Sequence, residues 1–442
     1  MNYDVIIIGA GAAGMTAAIF AGRSGARVCV VEHRSEPGKK ILQTGNGKCN
    51  LTHERVCSKD YLRDQNACCD EEQPVMTEKS SCEDPSYHAS FLDKAFGRFG
   101  YEETLDLFSS IGIPVRNKGG YIYPYSGTAL SVRNALWDEM KRLGVCIITD
   151  TEPDINVNNG LFKVSAITRK KEDGRCSESP IELTGKKLIL ATGLRAAPGT
   201  GSDGSGIELA KKQGLKIKPV MPALVKIKCP DGICRPASGV RHTCMTELFE
   251  NGKKTFSESG EVQFTDDGIS GIPVFNMSRF ASPALNNGAN VKAELDLLPD
   301  FSIGECDIFI ENNYDIMKNR KLSSFFGGMI PAKLLTAVAR TLSISSEKKA
   351  EEVGAERLKD LIRRCKSWEM KIEAVHGFEA AQVCLGGVDI SQIDPGTMEA
   401  KDVPGLYVAG ELADIDGPCG GYNLQWAWTS GAIAGMAAGK TG

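Results

Sequence analysis

Val5-Ile-Ile-Ile-Gly-Ala-Gly-Ala-Ala-Gly14 is the stretch that decides the fold of this chain. Its four β-branched residues predict a strand buried in a parallel sheet, and the Ala-rich segment after the glycines predicts a helix. We expect Gly9 to allow the tight turn, Gly11 to let a pyrophosphate approach the backbone, and Gly14 to let the helix pack closely on the strand. The unpaired N–H groups of the helix N-terminus would face the phosphates. The pattern therefore predicts a dinucleotide site.

The next predicted strand, Arg27–Val31, ends on an acid, Glu32. A carboxylate at this strand tip can accept hydrogen bonds from both ribose hydroxyls of an adenosine. GxGxxG alone is a weak signal in a chain with 48 glycines, and an ordinary glycine-rich turn is its alternative. The strand before it, the helix after it and Glu32 together make the dinucleotide interpretation specific.

Composition limits the classes of function. The 52 Lys and Arg against 56 Asp and Glu give a net charge of −4, which does not favour nucleic acid as a partner. The fifteen cysteines include no C-x-x-C pair, so a zinc ribbon and a thioredoxin motif are not predicted. We expect reduced thiols in a cytoplasmic protein instead. Residues 5–22 carry no charge, but their glycines fit a nucleotide turn and not a membrane segment.

Three later segments could complete the site. Residues 39–50 are rich in Gly, Asn and Lys, with donors that could hold a pyrophosphate, a ribityl chain and a flavin edge. The predicted strand 187–193 ends in Ala-Thr-Gly, which lets the backbone approach a ligand. Another predicted strand ends in Gly410-Glu411, whose carboxylate could bind ribityl hydroxyls, and the helix predicted over 426–438 could point its N-terminus at the flavin.

A second GxGxxG match, Gly199–Gly204, follows its strand by six residues and has no strand-tip acid after it. We therefore predict no separate NAD(P) site there, and expect Asp203 to cap a helix over 206–213. A metal site in the Cys-rich insertion is not predicted either, because adjacent Cys68 and Cys69 make poor ligand geometry. Its other potential ligands are Cys57, Cys82, His53 and His88.

Patterning along the chain predicts several domains, since 442 residues exceed one average domain. Short alternating strands with turn residues predict an antiparallel, barrel-like β-domain inside the nucleotide-binding domain. The predicted boundaries are 1–195 and 376–442 for the nucleotide-binding domain, 196–275 and 343–375 for the β-domain, 276–342 for a helical subdomain, and 54–86 for an exposed insertion.

The chain resembles the FAD-dependent oxidoreductases of the BaiN/YhiN type, a branch of the glutathione-reductase-like flavoproteins. The resemblance is carried by Gly9–Gly14, Glu32, Thr44-Gly-Asn-Gly-Lys-Cys-Asn50, Ala191–Gly193, Phe264–Gly271, Gly386–Val388, Gly410–Glu411 and Gly420–Gln425. It implies an α/β fold: a split, glutathione-reductase-type Rossmann domain for tightly bound, non-covalent FAD, with an inserted antiparallel β-barrel and a helical subdomain. It also implies NAD(P)H as a transient co-substrate. One branch of the family reduces C=C bonds of 3-oxo bile acid intermediates, which makes these steroid enones the expected substrate class.

The resemblance and the motifs together predict which residues contact FAD. They are Gly9, Gly11, Ala12, Ala13, Gly14, Glu32, His33, Arg34, Lys39, Lys40, Thr44, Gly45, Asn46, Gly47, Cys49, Asn50, Pro153, Ala191, Thr192, Gly193, Gly410, Glu411, Gly420, Gly421, Asn423, Leu424 and Gln425. Pro153 falls, within a residue, where the family clamps the adenine through its backbone, and proline lacks the N–H for half of that clamp.

The expected reaction is a hydride relay in which NAD(P)H reduces the flavin and the β-carbon of an enone then receives hydride. Candidate proton donors to the α-carbon are Tyr422, Cys49 and Cys419, with Tyr123 and Tyr125 further back, and each has a structural role as its alternative. Without a second Rossmann unit, the nicotinamide is expected to dock in the substrate cleft. A flavin oxidase of a small amine or ketone, and a flavoprotein that modifies RNA or serves as a redox-regulated binding module, remain open. The oligomeric state also stays open.

Overall fold

The computed structural model of the chain describes residues 1–62, 85–158, 160–172, 175–230 and 232–440. The chain divides into two compact units, Met1–Met221 with Val383–Gly442, and Pro222–Gln382. Across the described ranges, no helix has both the length and the apolar character that a membrane span requires.

The strands of the described residues are numbered in chain order. They are β1 (Asn2–Ile8), β2 (Val28–Val31), β3 (Thr52–His53), β4 (Val115–Lys118), β5 (Tyr121–Pro124), β6 (Cys146–Ile148), β7 (Thr151–Asn158), β8 (Leu161–Glu172), β9 (Arg175–Leu190), β10 (Ile217–Ala223), β11 (Ile227–Lys228), β12 (Arg241–Glu250), β13 (Lys253–Phe264), β14 (Gly268–Ser270), β15 (Val291–Asp296), β16 (Trp368–Lys371), β17 (Ala374–Val375), β18 (Val383–Val388) and β19 (Leu406–Val408).

The helices are numbered in the same way. They are α1 (Ala12–Arg23), α2 (Lys39–Gln43), α3 (Pro85–Phe96), α4 (Tyr101–Ser110), α5 (Ala129–Arg142), α6 (Ser205–Lys212), α7 (Ile272–Asn286), α8 (Ile303–Met317), α9 (Leu322–Phe325), α10 (Ala332–Thr341), α11 (Ala350–Val353), α12 (Ala355–Lys366) and α13 (Tyr422–Ala438). Short 3-10 turns include Thr44–Gly47, between α2 and β3.

The first unit is built on a sheet with the strand order β6-β2-β1-β9-β8-β7, in which β19 also pairs with β9. β1 runs parallel to β2 and β9, and β19 runs parallel to β9. The carboxyl ends of these strands therefore lie along one edge, where α/β sheets bind their ligands. This parallel sheet confirms the predicted Rossmann-type α/β fold.

Small residues let α1 and α13 approach closely in this unit. A Cβ on Gly431 would lie 2.4 Å from the Ala13 carbonyl oxygen, and one on Gly435 would lie 2.4 Å from that of Ala17. The Ala/Gly-rich sequence of α13 is thus a packing requirement. The contact brings the last helix of the chain beside the first glycine turn.

The charged sequence at 169–180 suggests a loop, but over most of this length β8 and β9 form a long antiparallel ribbon. β9 then continues to Leu190, so the predicted strand at 187–193 is the end of this ribbon strand. The charged composition did not predict the ribbon, because strand pairing satisfies the backbone whatever the side chains are.

The second unit contains a sheet with the strand order β16-β15-β12-β13-β14-β11-β17. Its strand pairs are antiparallel, as predicted for the β-domain. Residues 368–375 pair with β15 through β16 and with β11 through β17, so one continuous segment links both edges of the sheet.

The predicted helical subdomain at 276–342 is not separate. Its helices and the sheet share one hydrophobic core, in which Leu334 and Val338 of α10 are buried together with Phe264 and Trp368 of the strands. The segment also contains β15, whose alternating Val291-Lys-Ala-Glu-Leu-Asp296 buries every second residue inside the sheet. The helices use the sheet as their apolar partner, which explains why they form no unit of their own.

The unit boundaries also differ from the predicted ones. Residues 196–221, with α6 and most of β10, belong to the first unit, and residues 376–382 belong to the second. Asp203 is not the N-cap of α6: Gly204 is, with φ +90°, while the Asp203 side chain accepts a hydrogen bond from Ser205 N–H at 3.0 Å.

In the predicted exposed insertion at 54–86, the described residues Glu54, Arg55, Cys57 and Lys59 are exposed, but two others are not. Ser58 and Tyr61 are buried, and the Tyr61 hydroxyl donates to the Tyr422 carbonyl oxygen at 2.7 Å. The remaining part, residues 63–84, lies outside the described residues, as do the potential metal ligands Cys68, Cys69 and Cys82.

Candidate functional site

The glycine turn between β1 and α1 has the geometry that its motif predicts. Gly9 has φ +98° and its N–H donates to the Val31 carbonyl oxygen at 2.8 Å. A Cβ on Gly14 would lie 1.9 Å from the Gly9 carbonyl oxygen, whereas a Cβ on Gly11 would meet nothing within 4 Å. The open space at Gly11, beside the start of α1, fits a pyrophosphate.

Glu32 is fixed at the tip of β2 by backbone donors. Its Oε2 accepts from Ala10 N–H at 2.7 Å and its Oε1 accepts from Arg34 N–H at 2.9 Å. The residue is 8% exposed, so its carboxylate lies directly behind the turn with a lone pair on each oxygen left for ribose hydroxyls. Nearby, Arg34 Nε is buried without a hydrogen-bond partner among the described residues, which fits a site built for a further polar ligand, while His33 Nε2 lies 3.7 Å from Asp203 Oδ2.

The segment Thr44–Asn50 is held in an unusual backbone shape. Gly45, Asn46, Gly47 and Cys49 all have positive φ, between 53° and 79°, and Cys49 N–H closes the turn on the Thr44 carbonyl oxygen at 3.0 Å. Asn50 is buried, and its Oδ1 has no hydrogen-bond partner among the described residues. An unpaired buried acceptor costs free energy unless a ligand supplies the donor, so the residues present fit FAD.

A charged pair lies where the segment 39–50 meets Gly410-Glu411. Lys40 Nζ donates to Glu411 Oε2 at 2.7 Å, and Glu411 Oε1 accepts from Cys384 N–H at 2.7 Å. A Cβ on Gly193 would lie 3.6 Å from Glu411 Oε2. The structure therefore brings together Lys40, Gly193 and Glu411, three residues predicted to contact the cofactor.

The predicted small residues of the strand ends pack against one another. Gly410 has φ +70°, and a Cβ on it would lie 2.8 Å from the Ala13 Cβ. Ala191 N–H donates to the Ile8 carbonyl oxygen at 2.9 Å, and the Thr192 side chain fills the space beside Gly206. These contacts align the carboxyl ends of β1, β9 and β19.

α13 begins after two glycines that no other residue could replace without strain. Gly420 and Gly421 have φ +123° and +99°, and a Cβ on Gly421 would lie 2.8 Å from the Thr52 backbone. The side chain of Asn423 accepts from Gly417 N–H at 2.9 Å and donates to the Gly417 carbonyl oxygen at 2.8 Å, which shapes the preceding loop. Leu424 is half-buried in the first turn of the helix. These contacts fix the position of the helix N-terminus, which carries positive potential.

Gln425 is a correction to the predicted cofactor contacts. Its side chain is fully buried, with the two hydrogens of Nε2 shared among Gly100 O, Thr104 Oγ1 and Thr429 Oγ1, and Oε1 accepting from Thr52 Oγ1 at 2.6 Å. These bonds use the polar groups of the amide, so Gln425 joins α13 to α4 and β3 instead of binding FAD.

Pro153 lies in β7 opposite Ala166. It follows by two residues Thr151, whose N–H donates to the Glu32 carbonyl oxygen at 3.2 Å. The contact of Pro153 with the adenine stays a prediction.

One of the candidate proton donors, Cys49, is also corrected. Cys49 is fully buried, and burial raises the pKa of its thiol to about 12 against a smaller opposing effect of the Thr44 hydrogen bond. Enclosed by protein, it cannot contact a substrate. Tyr125 is 63% exposed and lies under the Arg116 guanidinium, at 4.5 Å from Cζ to the ring centre.

An aromatic cluster around Tyr422 was missed at the sequence level. His53 stacks on Tyr422 with ring centres 5.4 Å apart, and Tyr121 meets His53 edge-on at 5.0 Å. Tyr61 contacts Tyr422 edge-on at 6.1 Å. His53 Nδ1 accepts from Arg55 N–H at 3.1 Å, which leaves the proton of the neutral ring on Nε2. The alternation of Tyr121 and Tyr123 in one short strand is the signal that could have pointed to this cluster.

A family model decides the assignment: the HI0933-like protein Rossmann domain matches residues 3–437. The chain belongs to the HI0933-like family. This membership confirms the predicted flavin-dependent oxidoreductase with a Rossmann-type cofactor domain.

Relatives of this HI0933-like chain span nearly its full length. The 3-dehydro-bile acid delta(4,6)-reductase of Clostridium scindens is 37% identical over 98% of this chain and 98% of its own. The ribosomal RNA dihydrouridine synthase of Escherichia coli is 28% identical over 97% of this chain and 96% of its own. Among solved structures, the 3-ketosteroid-delta4-(5alpha)-dehydrogenase from Rhodococcus jostii RHA1 in complex with 4-androstene-3,17-dione has a TM-score of 0.49 and 15% identity, covering 100% of this chain and 97% of that one.

Proposed function

We propose that this chain reduces a C=C bond conjugated to a ketone, with NAD(P)H as the electron donor and a 3-oxo-Δ4 or Δ4,6 bile acid as the substrate. The observation that carries this proposal is the 37% identity to the 3-dehydro-bile acid delta(4,6)-reductase over 98% of the chain. Bound along the glycine turn, Glu32, Thr44–Asn50 and Glu411, FAD would supply the hydride transfer.

The protein's own part begins with binding. Glu32 and the open space at Gly11 provide for the adenosine and pyrophosphate end, through hydrogen bonding and close backbone approach. The Lys40–Glu411 pair keeps its carboxylate oriented by two donors, and a fixed carboxylate can hold hydroxyl groups without reorganising. These groups position the cofactor and do not react.

We propose that the substrate reacts beside the start of α13 and the aromatic cluster. The first N–H groups of this helix present positive potential, which stabilises negative charge developing beside them. We assign the proton donor to the Tyr422 hydroxyl, because Cys49 is enclosed and Tyr422 lies in the first turn of the same helix. The stack with His53 holds the Tyr422 ring in place. Its proton would go to the α-carbon of the enone.

RNA modification is the second candidate, and the relative with 28% identity over 97% of the chain favours it. The two relatives' names describe one kind of chemistry, since dihydrouridine is uridine reduced at a C=C bond that is conjugated to a carbonyl. The net charge of −4 argues against an RNA substrate, because phosphate contacts dominate RNA affinity. An oxidase acting on a small amine or ketone stays an untested alternative.

Anaerobic reoxidation of the reduced holoprotein separates these candidates. The flavin is first bleached with NADH or NADPH, and a 3-oxo-Δ4 bile acid, its saturated 3-oxo analogue, an unmodified ribosomal RNA transcript or dissolved oxygen is then added. We expect only the unsaturated acid to restore the flavin absorbance rapidly, with the saturated analogue as the matched control. Rapid reoxidation by the RNA would favour the second candidate, and reoxidation by oxygen alone would favour an oxidase.

A further inference from the structure

A cavity of about 240 Å³ in the first unit is lined by three cationic side chains and two tyrosines. Its lining residues are Lys48, Arg116, Lys118, Tyr121, Tyr123 and Gly127. Lys48 comes from the Thr44–Asn50 segment, and the other residues belong to β4, β5 and the turn after them. Such a concentration of positive charge around a small cavity is typical of a site for an anionic group.

The charge in this cavity is not neutralised by the protein. Among the described residues, no carboxylate forms an ion pair with Lys48, Arg116 or Lys118. Arg116 Nε is buried without a hydrogen-bond partner there, although its guanidinium lies over the Tyr125 ring. The neighbouring acid Glu54 accepts instead from Asn117 Nδ2 at 2.5 Å and lies 3.9 Å from Arg55 Nε. An anionic ligand would supply the missing partner.

The cavity borders the candidate site on two sides. The Tyr123 ring lies 3.8 Å from where a Cβ on Gly45 would be, which places it against the segment that is predicted to face the flavin. Tyr121 contacts the His53 ring edge-on, and His53 stacks on Tyr422. A molecule could therefore place one end in the cavity and another end near the Tyr422 cluster.

We propose that this cavity binds the carboxylate of an acidic steroid, with Arg116, Lys48 and Lys118 as the residues that select acids over neutral steroids. The inference rests on the proposed function and refines its substrate class. A bile acid carries its carboxylate at the end of a side chain far from the 3-oxo ring, so anchoring at one end would leave the enone free to react at the other. Tyr121 and Tyr123 add hydroxyl donors for the same anion.

Binding to the FAD-loaded protein tests the inference without turnover. The dissociation constants of a 3-oxo-Δ4 bile acid and of its methyl ester are measured from the change in flavin absorbance. We expect the wild type to bind the acid about tenfold more tightly than the ester. Arg116→Gln, Lys48→Gln and Lys118→Gln should each weaken the acid and leave the ester unchanged, and the exposed Lys163→Gln should change neither.

Each other outcome overturns the inference. Equal binding of acid and ester by the wild type, or equal weakening of both by the variants, would show that the cavity does not recognise the carboxylate. Loss of NADPH but not NADH affinity in the three variants would assign the cavity to a nucleotide phosphate, and loss of RNA binding alone would assign it to a nucleic acid backbone. Turnover of the methyl ester tests the proposed function separately, because its enone is intact whether or not the carboxylate is recognised.

Discussion

Tyr422 differs from the other candidate donors in its surroundings. Its ring is stacked on His53, its carbonyl oxygen accepts a hydrogen bond from the Tyr61 hydroxyl, and it lies in the first turn of α13, where the helix dipole gives positive potential. Cys49, in contrast, is sealed in the protein. At the scale of single residues, catalysis thus depends on which side chain combines a transferable proton with access to a ligand.

Replacing Tyr422 by Phe should lower the rate of enone reduction by about a hundredfold, because a positioned general acid contributes that order of rate enhancement. The stack with His53 survives the change, so flavin content and the rate of flavin bleaching by NAD(P)H should stay as in the wild type. Tyr125→Phe, which removes a hydroxyl from a side chain that is 63% exposed, is the matched control. Equal losses in both half-reactions would assign Tyr422 a structural role.

The thiols predict a pattern of chemical reactivity. Burial raises the pKa of Cys49 to about 12, and burial together with the Glu411 carboxylate raises that of Cys384 to about 12. At pH 8 only about one in ten thousand of such thiols is ionised, and the thiolate is the reactive form. Peptide mapping after iodoacetamide treatment of the FAD-loaded protein should find Cys57, which is exposed, alkylated and both buried cysteines intact. Alkylation of Cys49 in the folded protein would contradict its burial.

The β1–turn–α1 element shows how much a short motif can determine. The roles that the pattern assigned to Gly9, Gly11 and Gly14 agree with the positive φ, the open space and the close contact found there. Such roles are predictable because they depend on backbone geometry within a few residues. The partners of Gln425 and of His53 lie far away in the chain, so no local pattern contained them.

Two alanine substitutions in this turn should differ in their effects on stability and on FAD binding. Gly14→Ala places a methyl group 1.9 Å from the Gly9 carbonyl oxygen and should lower the free energy of unfolding by about 3 kcal/mol. Gly11→Ala adds a methyl group in open space and should cost about 1 kcal/mol or less, while weakening FAD binding roughly tenfold by occupying the pyrophosphate position. Denaturant unfolding of the apoprotein measures the change in stability, and FAD titration measures the change in affinity. Unchanged FAD affinity in Gly11→Ala would place the pyrophosphate elsewhere.

α13 is held to α4 and β3 through Gln425, which the sequence assigned to the cofactor. Gln425→Leu keeps the volume but removes the acceptor of the buried Thr52 hydroxyl and a donor to the hydroxyls of Thr104 and Thr429, which should lower the free energy of unfolding by about 2 to 4 kcal/mol. FAD affinity of the folded fraction should not change. Gln382→Leu, at an exposed position, is the control. A loss of FAD affinity without a loss of stability would restore the original assignment.

At the scale of the whole molecule, the sequence predicted the α/β class and the antiparallel β-domain but placed the boundaries differently. The strand β15 was absorbed into a predicted helical region, although Val291, Ala293 and Leu295 alternate with polar residues. The helical periodicity of the neighbouring segments hid this alternation. The hydrophobic core around Phe264 and Trp368, which the helices and the strands share, shows that they form one unit. Domain boundaries depend on contacts between distant segments, which local periodicity does not contain.

The fold of the whole molecule leaves the substrate class open. Two relatives that cover nearly the whole chain carry the names of a bile acid reductase and an RNA-modifying enzyme, so the fold alone does not select a substrate. We propose that the selection comes from the Tyr422 cluster and the cationic cavity.

The most direct test of the proposed bile acid reduction is the mass of the product. The FAD-loaded protein is incubated with NAD(P)H and a 3-oxo-Δ4 bile acid under anaerobic conditions. We predict a product two hydrogen atoms heavier, with the 3-oxo group retained and the Δ4 bond saturated, formed in amounts that match the NAD(P)H consumed. If NAD(P)H reduces the flavin but the steroid is unchanged, the proposed reduction of an enone bile acid is contradicted.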